Sequence, residues 1–186
     1  MNRCRKCGSK LKTRLIREYK ANELGIAGVS IWNAVSEETC PKCNNRQSVI
    51  IPNLQGLVAA IAVLRIAIPF KLSGSEIRFL RKAMEWPAKK LAEKLEVRPE
   101  TISRYENDVE IIKMPSEKLL RLFVGQQLSA NAPGIKFDPR GIVEMRIKAC
   151  YPCSLQMHLK LVSSNEAKNE ANEDQAWEEA RKFAVG

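Results

Sequence analysis

SGSEIRFLRKAMEWPAKKLAEKLEVRPETISRYEN, the stretch Ser73–Asn107, reads as three short helices separated by two tight joints. Ser73 offers a side-chain oxygen as the cap of a first helix whose Ile77, Leu80 and Met84 recur at i, i+3 and i+7, on one face. Pro87 suits the first turn of a second helix, where its missing N–H would have had no partner. Leu91, Ala92 and Leu95 turn inward there, and the small Ala92 lets another helix cross closely. Glu96-Val97-Arg98 makes the second joint, and Pro99 starts a third helix with Ile102 and Tyr105 inward and Glu100, Thr101 and Arg104 outward. This is the pattern of a helix-turn-helix. A third helix of two to three turns with polar residues at its N-terminus can enter a major groove end-on. The same periodicity also serves an ordinary three-helix bundle, and pattern alone leaves both open.

Upstream, Cys4-Arg-Lys-Cys7 and Cys40-Pro-Lys-Cys43 form two C-x-x-C knuckles. Each places two thiolates at the tip of a turn, and four thiolates complete a tetrahedral Zn2+ site. Cys4, Cys7, Cys40 and Cys43 are therefore expected to hold one structural zinc, closed to water and substrate because all four positions are protein ligands. The insert between the knuckles must have structure of its own. Leu11–Tyr19 and Val29–Val35 read as strands around the turn-forming ANELGIAG, with a further strand at Gln47–Ile51. Asn53 then caps a helix from Leu54, and Pro69 ends or kinks it. The apolar run Leu54–Ile68 contains Arg65 and is shorter than the roughly 20 residues needed to span a bilayer, so no membrane association is expected. It reads as a helix docked on one domain, with a dimer contact or a rigid arm as the alternatives.

Downstream, Pro115 and Ser116 open a fourth helix whose Leu119, Leu120, Leu122, Phe123 and Val124 are expected to pack on the other three. Gln126-Gln127-Leu128 at its end is a candidate dimer surface. Ile142–Lys148 and Leu155–Val162 alternate apolar and polar residues and are read as a β-hairpin, with Cys150-Tyr-Pro-Cys153 at its turn. That third C-x-x-C lacks a second knuckle nearby, so its thiols are read as unmetallated; His158 is read as a strand residue and not a ligand. The stretch Ser163–Glu173 is polar and expected to be flexible. Trp177 and Phe183 mark a possible short terminal helix.

The 186 residues carry 31 Lys+Arg against 21 Asp+Glu, a net charge of +10, and the excess is uneven. Residues 1–72 hold 12 basic and 4 acidic side chains, residues 73–128 hold 11 and 9, and residues 129–186 balance at 8 and 8. A basic surface attracts phosphate backbones or acidic partners, and charge alone does not choose between them. MNRCRKCGSK is followed by no apolar stretch of the signal-peptide kind, so the expected location is the cytoplasm. In a reducing compartment six cysteines argue for metal or free thiols over disulfides. One histidine, a closed metal site, no phosphate-cradling glycine loop and no nucleophile–base set argue against an enzyme. A thiol oxidoreductase using Cys150 and Cys153 is the competing enzymatic class.

KKLAEKLEV followed by ETISRYEN resembles the XRE-type helix-turn-helix. The wider arrangement, paired knuckles around a β insert, then IPN and a helix, then LSGSEIRFLRKAM and SRYEN, resembles the MqsA-type antitoxin and regulator family over roughly Cys4 to Leu128. The resemblance implies an α+β chain. Its parts would be a zinc-ribbon-like β domain (residues 1–52), a linker helix (53–72) and an all-α XRE-type domain (73–128); beyond the reach of the resemblance, the residue pattern adds a C-terminal β-hairpin (129–162) and a polar tail that can hold a short helix (163–186). The resemblance further implies a homodimer that binds a double-stranded DNA operator as a repressor. In the family's toxin–antitoxin members the first domain can hold a protein toxin.

On that resemblance Arg104 reaches base edges, Glu100 is a second base-facing residue, and Arg98 and Ser103 lie nearer the DNA backbone, with Pro99 and Thr101 between them. Arg81 and Glu106 match a structural pair linking the first helix to the end of the third. Three departures stand out. Ala88 replaces a glutamine near the backbone, Glu96 replaces the glycine usual in the joint, and Arg98 stands where a capping Ser or Thr is common.

Overall fold

A computed structural model describes residues 3–149, 155–163 and 175–180. Its sheet begins with β1 (Lys12–Lys20), antiparallel to the longer β2 (Val29–Thr39). The register slips between Ile16 and Glu18, where Arg17 of β1 stands against both Asn33 and Ala34, a bulge that puts the extra residue on β2 at the left-handed Asn33 (φ +51°). Ile16 lies opposite Val35 and Tyr19 opposite Ile31, which puts one apolar face on the inside of the ladder. The far end of β2, Ser36–Thr39, takes β3 (Arg46–Ile50) antiparallel along its other edge. Along that same edge the near end, Val29–Trp32, pairs in parallel with β4 (Met157–Ser163). β5 (Gln175–Glu179) then pairs antiparallel with β4. The fold is α+β, and the five-stranded sheet of the described residues draws strands from both halves of the chain.

Two expectations change here. The C-terminal strand pair exists, but Leu155–Val162 does not pair with Ile142–Lys148. Asp138 caps the N–H of Arg140 at 3.0 Å and Pro139 fills the first turn, so Pro139–Glu144 coils into a short helix with Ile142 buried. An Asp-Pro start signal outweighs the alternation of the residues behind it. The terminal helix over 175–185 is likewise replaced, at Gln175–Glu179, by a strand. Trp177 sits opposite Leu161, is 1% exposed, and donates its indole N–H to the carbonyl of Asn53 at 3.0 Å. Cys150–Cys153, residues 164–174 and Phe183 lie outside the described residues.

Behind the sheet's inner face runs α1 (Leu54–Ala67), capped by Asn53, whose side chain accepts from the Gly56 N–H at 3.0 Å. Leu57 and every residue from Ala59 to Ile66 are buried. An α-helix apolar on all sides must be covered on all sides. The sheet, through β4 and β5, covers one side of α1, and the helices that follow cover the rest. Among the described residues no helix is long and apolar enough to cross a membrane.

Those helices are α2 (Gly74–Ala83), α3 (Ala88–Lys94), α4 (Pro99–Glu106), α5 (Met114–Leu128) and α6 (Pro139–Glu144). On α5 the buried face is Glu117, Leu120, Arg121, Val124, Gly125 and Leu128, while Leu119 is 37% exposed. At the candidate dimer surface on its end Leu128 is buried and Gln127 donates to the Met84 carbonyl at 2.8 Å, while Gln126 and Gln127 stay exposed.

The two charged residues on that face explain how α1 is joined to α2. Arg121, wholly buried, pairs with Glu117 at 2.8 Å and donates to the carbonyls of Ile66, Ile68 and Phe70 at 2.6–2.8 Å. From the other side Arg65, 1% exposed, pairs with Glu76 and donates to the carbonyls of Phe70 and Lys71. Glu76 also closes the capping box of α2, accepting the Ser73 N–H at 2.8 Å while the Ser73 hydroxyl accepts the Glu76 N–H. Residues 68–72 follow a path off the regular ladders, and the carbonyls of Ile66 at the end of α1 and of Phe70 and Lys71 beyond it take their donors from these guanidiniums.

Candidate metal centre and nucleic-acid interface

Each knuckle is built by a tight turn. The Gly8 N–H donates to the Cys4 carbonyl at 2.9 Å and the Cys4 N–H to Ser9 at 2.8 Å; Asn44 and Asn45 repeat both bonds about Cys40 at 2.9 and 3.0 Å. The residue after the second cysteine must be left-handed for this turn to close. Gly8 (φ +72°) and Asn44 (φ +50°) stand there, residue types that tolerate that region. The β1–β2 hairpin and β3 then bring the two knuckles together. Cys4 lies 3.6 Å from Cys43, and Cys7 lies 3.3 Å from Cys40 and 3.7 Å from Cys43, sulfur to sulfur. All four sulfurs lie within 4.8 Å of one another.

The edge of a Zn–S4 tetrahedron with bonds of about 2.3 Å is about 3.8 Å, so the spacing fits a zinc-sized ion. Cys4 and Cys40 are buried. Hydrogen bonds from the Ser9 hydroxyl and backbone, and then from Cys40, hold the Cys7 thiol down at about 6. At Cys43 the Asn45 backbone favours the thiolate, yet burial and the three neighbouring sulfurs push it up to about 12. The crowding of sulfurs thus favours the thiolate at Cys7 and disfavours it at Cys43. A divalent cation at their centre removes that conflict. Cys4, Cys7, Cys40 and Cys43 would hold it, and the charge it supplies would bind the two knuckles into one unit.

In the helical half, the first and third helices of the motif are locked end to end. Gly74 allows the closest approach, since a Cβ there would lie 2.5 Å from the Tyr105 carbonyl, and its N–H donates to Asp108 at 2.6 Å. Arg81 and Glu106 form an ion pair, with Nη2 to Oε2 at 3.1 Å, and Arg81 also donates to the Trp86 carbonyl at 2.9 Å. That contact and its own burial act oppositely on the Arg81 guanidinium, and the Glu106 hydrogen bond wins, raising its pKa. Arg78, which the sequence reading did not single out, adds a second cation on Glu106 at 3.3 Å and reaches Asn107 Oδ1 at 2.7 Å. Its place one turn before Arg81, on the face that meets α4, was the available signal.

The other end of α4 projects. Ile102 and Tyr105 are buried with Leu91 and Ala92 of α3, whereas Arg98, Pro99, Glu100, Ser103 and Arg104 are exposed and Thr101 is half-buried. Ser103 accepts from Asn107 through both its carbonyl, at 2.8 Å, and its hydroxyl. Arg104 is 62% exposed and lies 3.7 Å from Glu110, a loose surface pair worth about 0–1 kcal/mol. No side chain caps α4 at Arg98. Residues 77–123 match the helix-turn-helix family model. That match, with the exposed α4 face, supports a DNA-binding regulator of the XRE type. No curated protein and no solved structure matches the chain.

Glu96, in the joint between α3 and α4, has φ +52°. A left-handed side-chain residue costs about 1–2 kcal/mol, of which glycine's greater freedom in the unfolded chain cancels about half. Glu96→Gly is accordingly expected to raise stability by about 0.5–1 kcal/mol in denaturant unfolding. A loss of stability would show that the Glu96 side chain makes a compensating contact.

Proposed function

We propose that this chain is a sequence-specific DNA-binding transcriptional regulator, a cytoplasmic repressor that docks α4 in the major groove and carries one structural Zn2+ and no catalytic site. The observation that carries the reading is the polarity of α4. Its C-terminal end is clamped by Gly74, Arg78 and Arg81, while Arg98, Glu100, Ser103 and Arg104 stand exposed along it with no partner closer than neighbouring surface residues. Arg104 would take guanine O6 and N7 in a bidentate contact worth about 1–3 kcal/mol, more than the loose Glu110 pair it would give up. Glu100 would accept from cytosine N4. Arg98 and Ser103 would hold the phosphate backbone, with the uncapped N–H groups of α4 beside them. A homodimer would set two such helices in half-sites about 34–36 Å apart.

The test is selection of a binding site from a random duplex pool, followed by quantitative binding of Arg104→Ala. The expected result is a loss of preference at one guanine position by about 1–3 kcal/mol, with affinity for unrelated sequence little changed. An equal loss on every sequence would move Arg104 to phosphate contact, and no loss would remove it from the interface.

A second reading keeps α4 as the operator reader and makes residues 1–52 the seat of a toxin, as in an antitoxin. The cationic surface of that module favours it, since such a surface also suits an acidic protein. A small toxin-like reading frame beside the gene, and co-purification of its product, would support it.

A further inference from the structure

The carboxylates of residues 3–52 are all engaged. Glu37 pairs with Arg14 and Arg46, Glu38 accepts from Ser48, Glu18 accepts from Ser30, and Glu23 accepts from Tyr19. Their cationic neighbours are not so balanced. Between the knuckles lies a cleft of about 510 Å³ lined by Ser9, Lys10, Leu11, Lys12, Pro41 and Lys42. Its three lysines are exposed and make no ion pair among the described residues, and no carboxylate is among its lining residues. Lys10 and Lys12 leave the first knuckle along the start of β1, and Lys42 lies inside the second. Joining the knuckles is therefore what brings the three ammonium groups around one depression.

We infer that this lysine cleft is a phosphate-binding site that grips the DNA backbone outside the segment read by α4. The inference rests on the DNA-binding reading above and assigns a second contact to it. Three like charges converging on one concavity repel one another and focus a positive field, which an anion relieves. The cleft has two apolar lining residues, Leu11 and Pro41, and no aromatic. A protein-binding hot spot would need a buried apolar or aromatic anchor, whereas a phosphodiester needs only cations and donors such as the Ser9 hydroxyl. The helix-turn-helix part also needs help, because residues 73–128 have a charge surplus of only 2 and Glu100 faces the DNA.

The position of the cleft sets where the second contact falls. The β1–β2 connection, Glu23 to Gly25, faces Ser75, Arg78 and Phe79 of α2, so the knuckles lie at the opposite end of the hairpin. β1 spans about 27 Å at about 3.4 Å per residue, the length of about eight base pairs. A duplex just long enough for α4 would miss the cleft, and a longer one would reach it.

Binding is measured across a salt series on two duplexes sharing the selected site, about 16 and about 40 base pairs long, for the full chain and for Lys10→Gln/Lys12→Gln/Lys42→Gln. On the long duplex the variant is expected to lose up to about 2.7 from the slope of log K against log salt, about 0.9 for each phosphate contact removed. Its affinity there should fall at least tenfold at low salt. The short duplex should be unaffected, and Lys→Arg at the three positions should restore the slope. Inorganic pyrophosphate titrated into the unaltered protein should shift the amide resonances of Ser9–Lys12 and Lys42, a readout independent of how the variant folds. An unchanged slope on the long duplex, while Arg104→Ala still loses its guanine preference, overturns the cleft and leaves α4 standing. Failure of the unaltered protein to bind either duplex overturns both. An unchanged slope with loss of binding to polyglutamate would reassign the cleft to an acidic protein partner and overturn the inference.

Discussion

Cys40→Ser is expected to abolish the proposed zinc binding, with metal content near zero per chain, and to open the knuckle end of the sheet. Apparent metal-binding free energies at structural zinc sites are about 10–16 kcal/mol, and this energy is folding energy because no site exists in the unfolded chain. Little else holds that end. Along β1 only Ile16 and Tyr19 are even partly buried, and no residue of β3 is fully buried. The near end of β2 is different: Val29 and Ile31 are buried alongside Met157 and Leu159 and the ladder there is shared with β4. Amide exchange in Cys40→Ser should therefore accelerate over Cys4–Arg14 and Ser36–Ile50, while α1 and the first four residues of β2 keep their protection. Unchanged protection throughout, with no zinc bound, would show that the thiols need no metal to stay together.

Arg121→Met is expected to cost about 3–5 kcal/mol, measured by the denaturant midpoint. Removing one partner from a buried pair strands the other charge. Here Glu117 would keep only the Leu72 N–H at 3.1 Å and Lys71 at 3.1 Å, and the carbonyls of Ile66, Ile68 and Phe70 would each lose a donor. For a chain of this length that corresponds to a fall in Tm of about 6–20 °C. Arg121→Met/Glu117→Leu should recover part of the loss, because it removes the stranded charge but not the need of the three carbonyls. If the double variant matched the single one, the carbonyls and not the carboxylate would dominate the energy. A loss under 1 kcal/mol in the single variant would mean that water replaces the guanidinium.

The readable parts of this chain were those in which local chemistry and tertiary structure agree. Ser73 with Glu76, Asn53 before an apolar helix, and the Pro99 start of α4 all announce an element by a mechanism that acts within four residues, and each stands where the sequence put it. The knuckles were legible for the same reason: C-x-x-C is a turn with its ligands attached, although the requirement for a left-handed residue at Gly8 and Asn44 went unread. One failure had a local cause, and the others depended on distant partners. Alternation in Ile142–Lys148 resembled a strand, but the Asp138-Pro139 start gave its first residues a helix. QAWEE had no visible partner strand in sequence and became β5 because Trp177 fills a place beside Asn53 and Leu161. Arg121 was hidden most completely. Spaced four residues from Glu117, it looks like a solvent-facing helix pair. Only the carbonyls of residues 66–70, more than fifty positions earlier, explain why it is buried.

The parallel pairing of Val29–Trp32 with Met157–Lys160 has a consequence for the order in which the molecule is made. The helix-turn-helix lies in sequence between two strands that are neighbours in space, so a nascent chain can complete α2 to α5 from nearby contacts while one edge of β2 waits for partners well over a hundred residues away. Closing so long a loop is slow compared with forming local helices. Throughout that interval β2 presents unpaired backbone groups and the buried surface of Val29 and Ile31, the kind of edge on which other chains add. Synthesis therefore delivers the helix-turn-helix first and the last strands of the sheet much later, and any pause before Met157 leaves a chain whose helical half is assembled and whose sheet is open to capture by a neighbour.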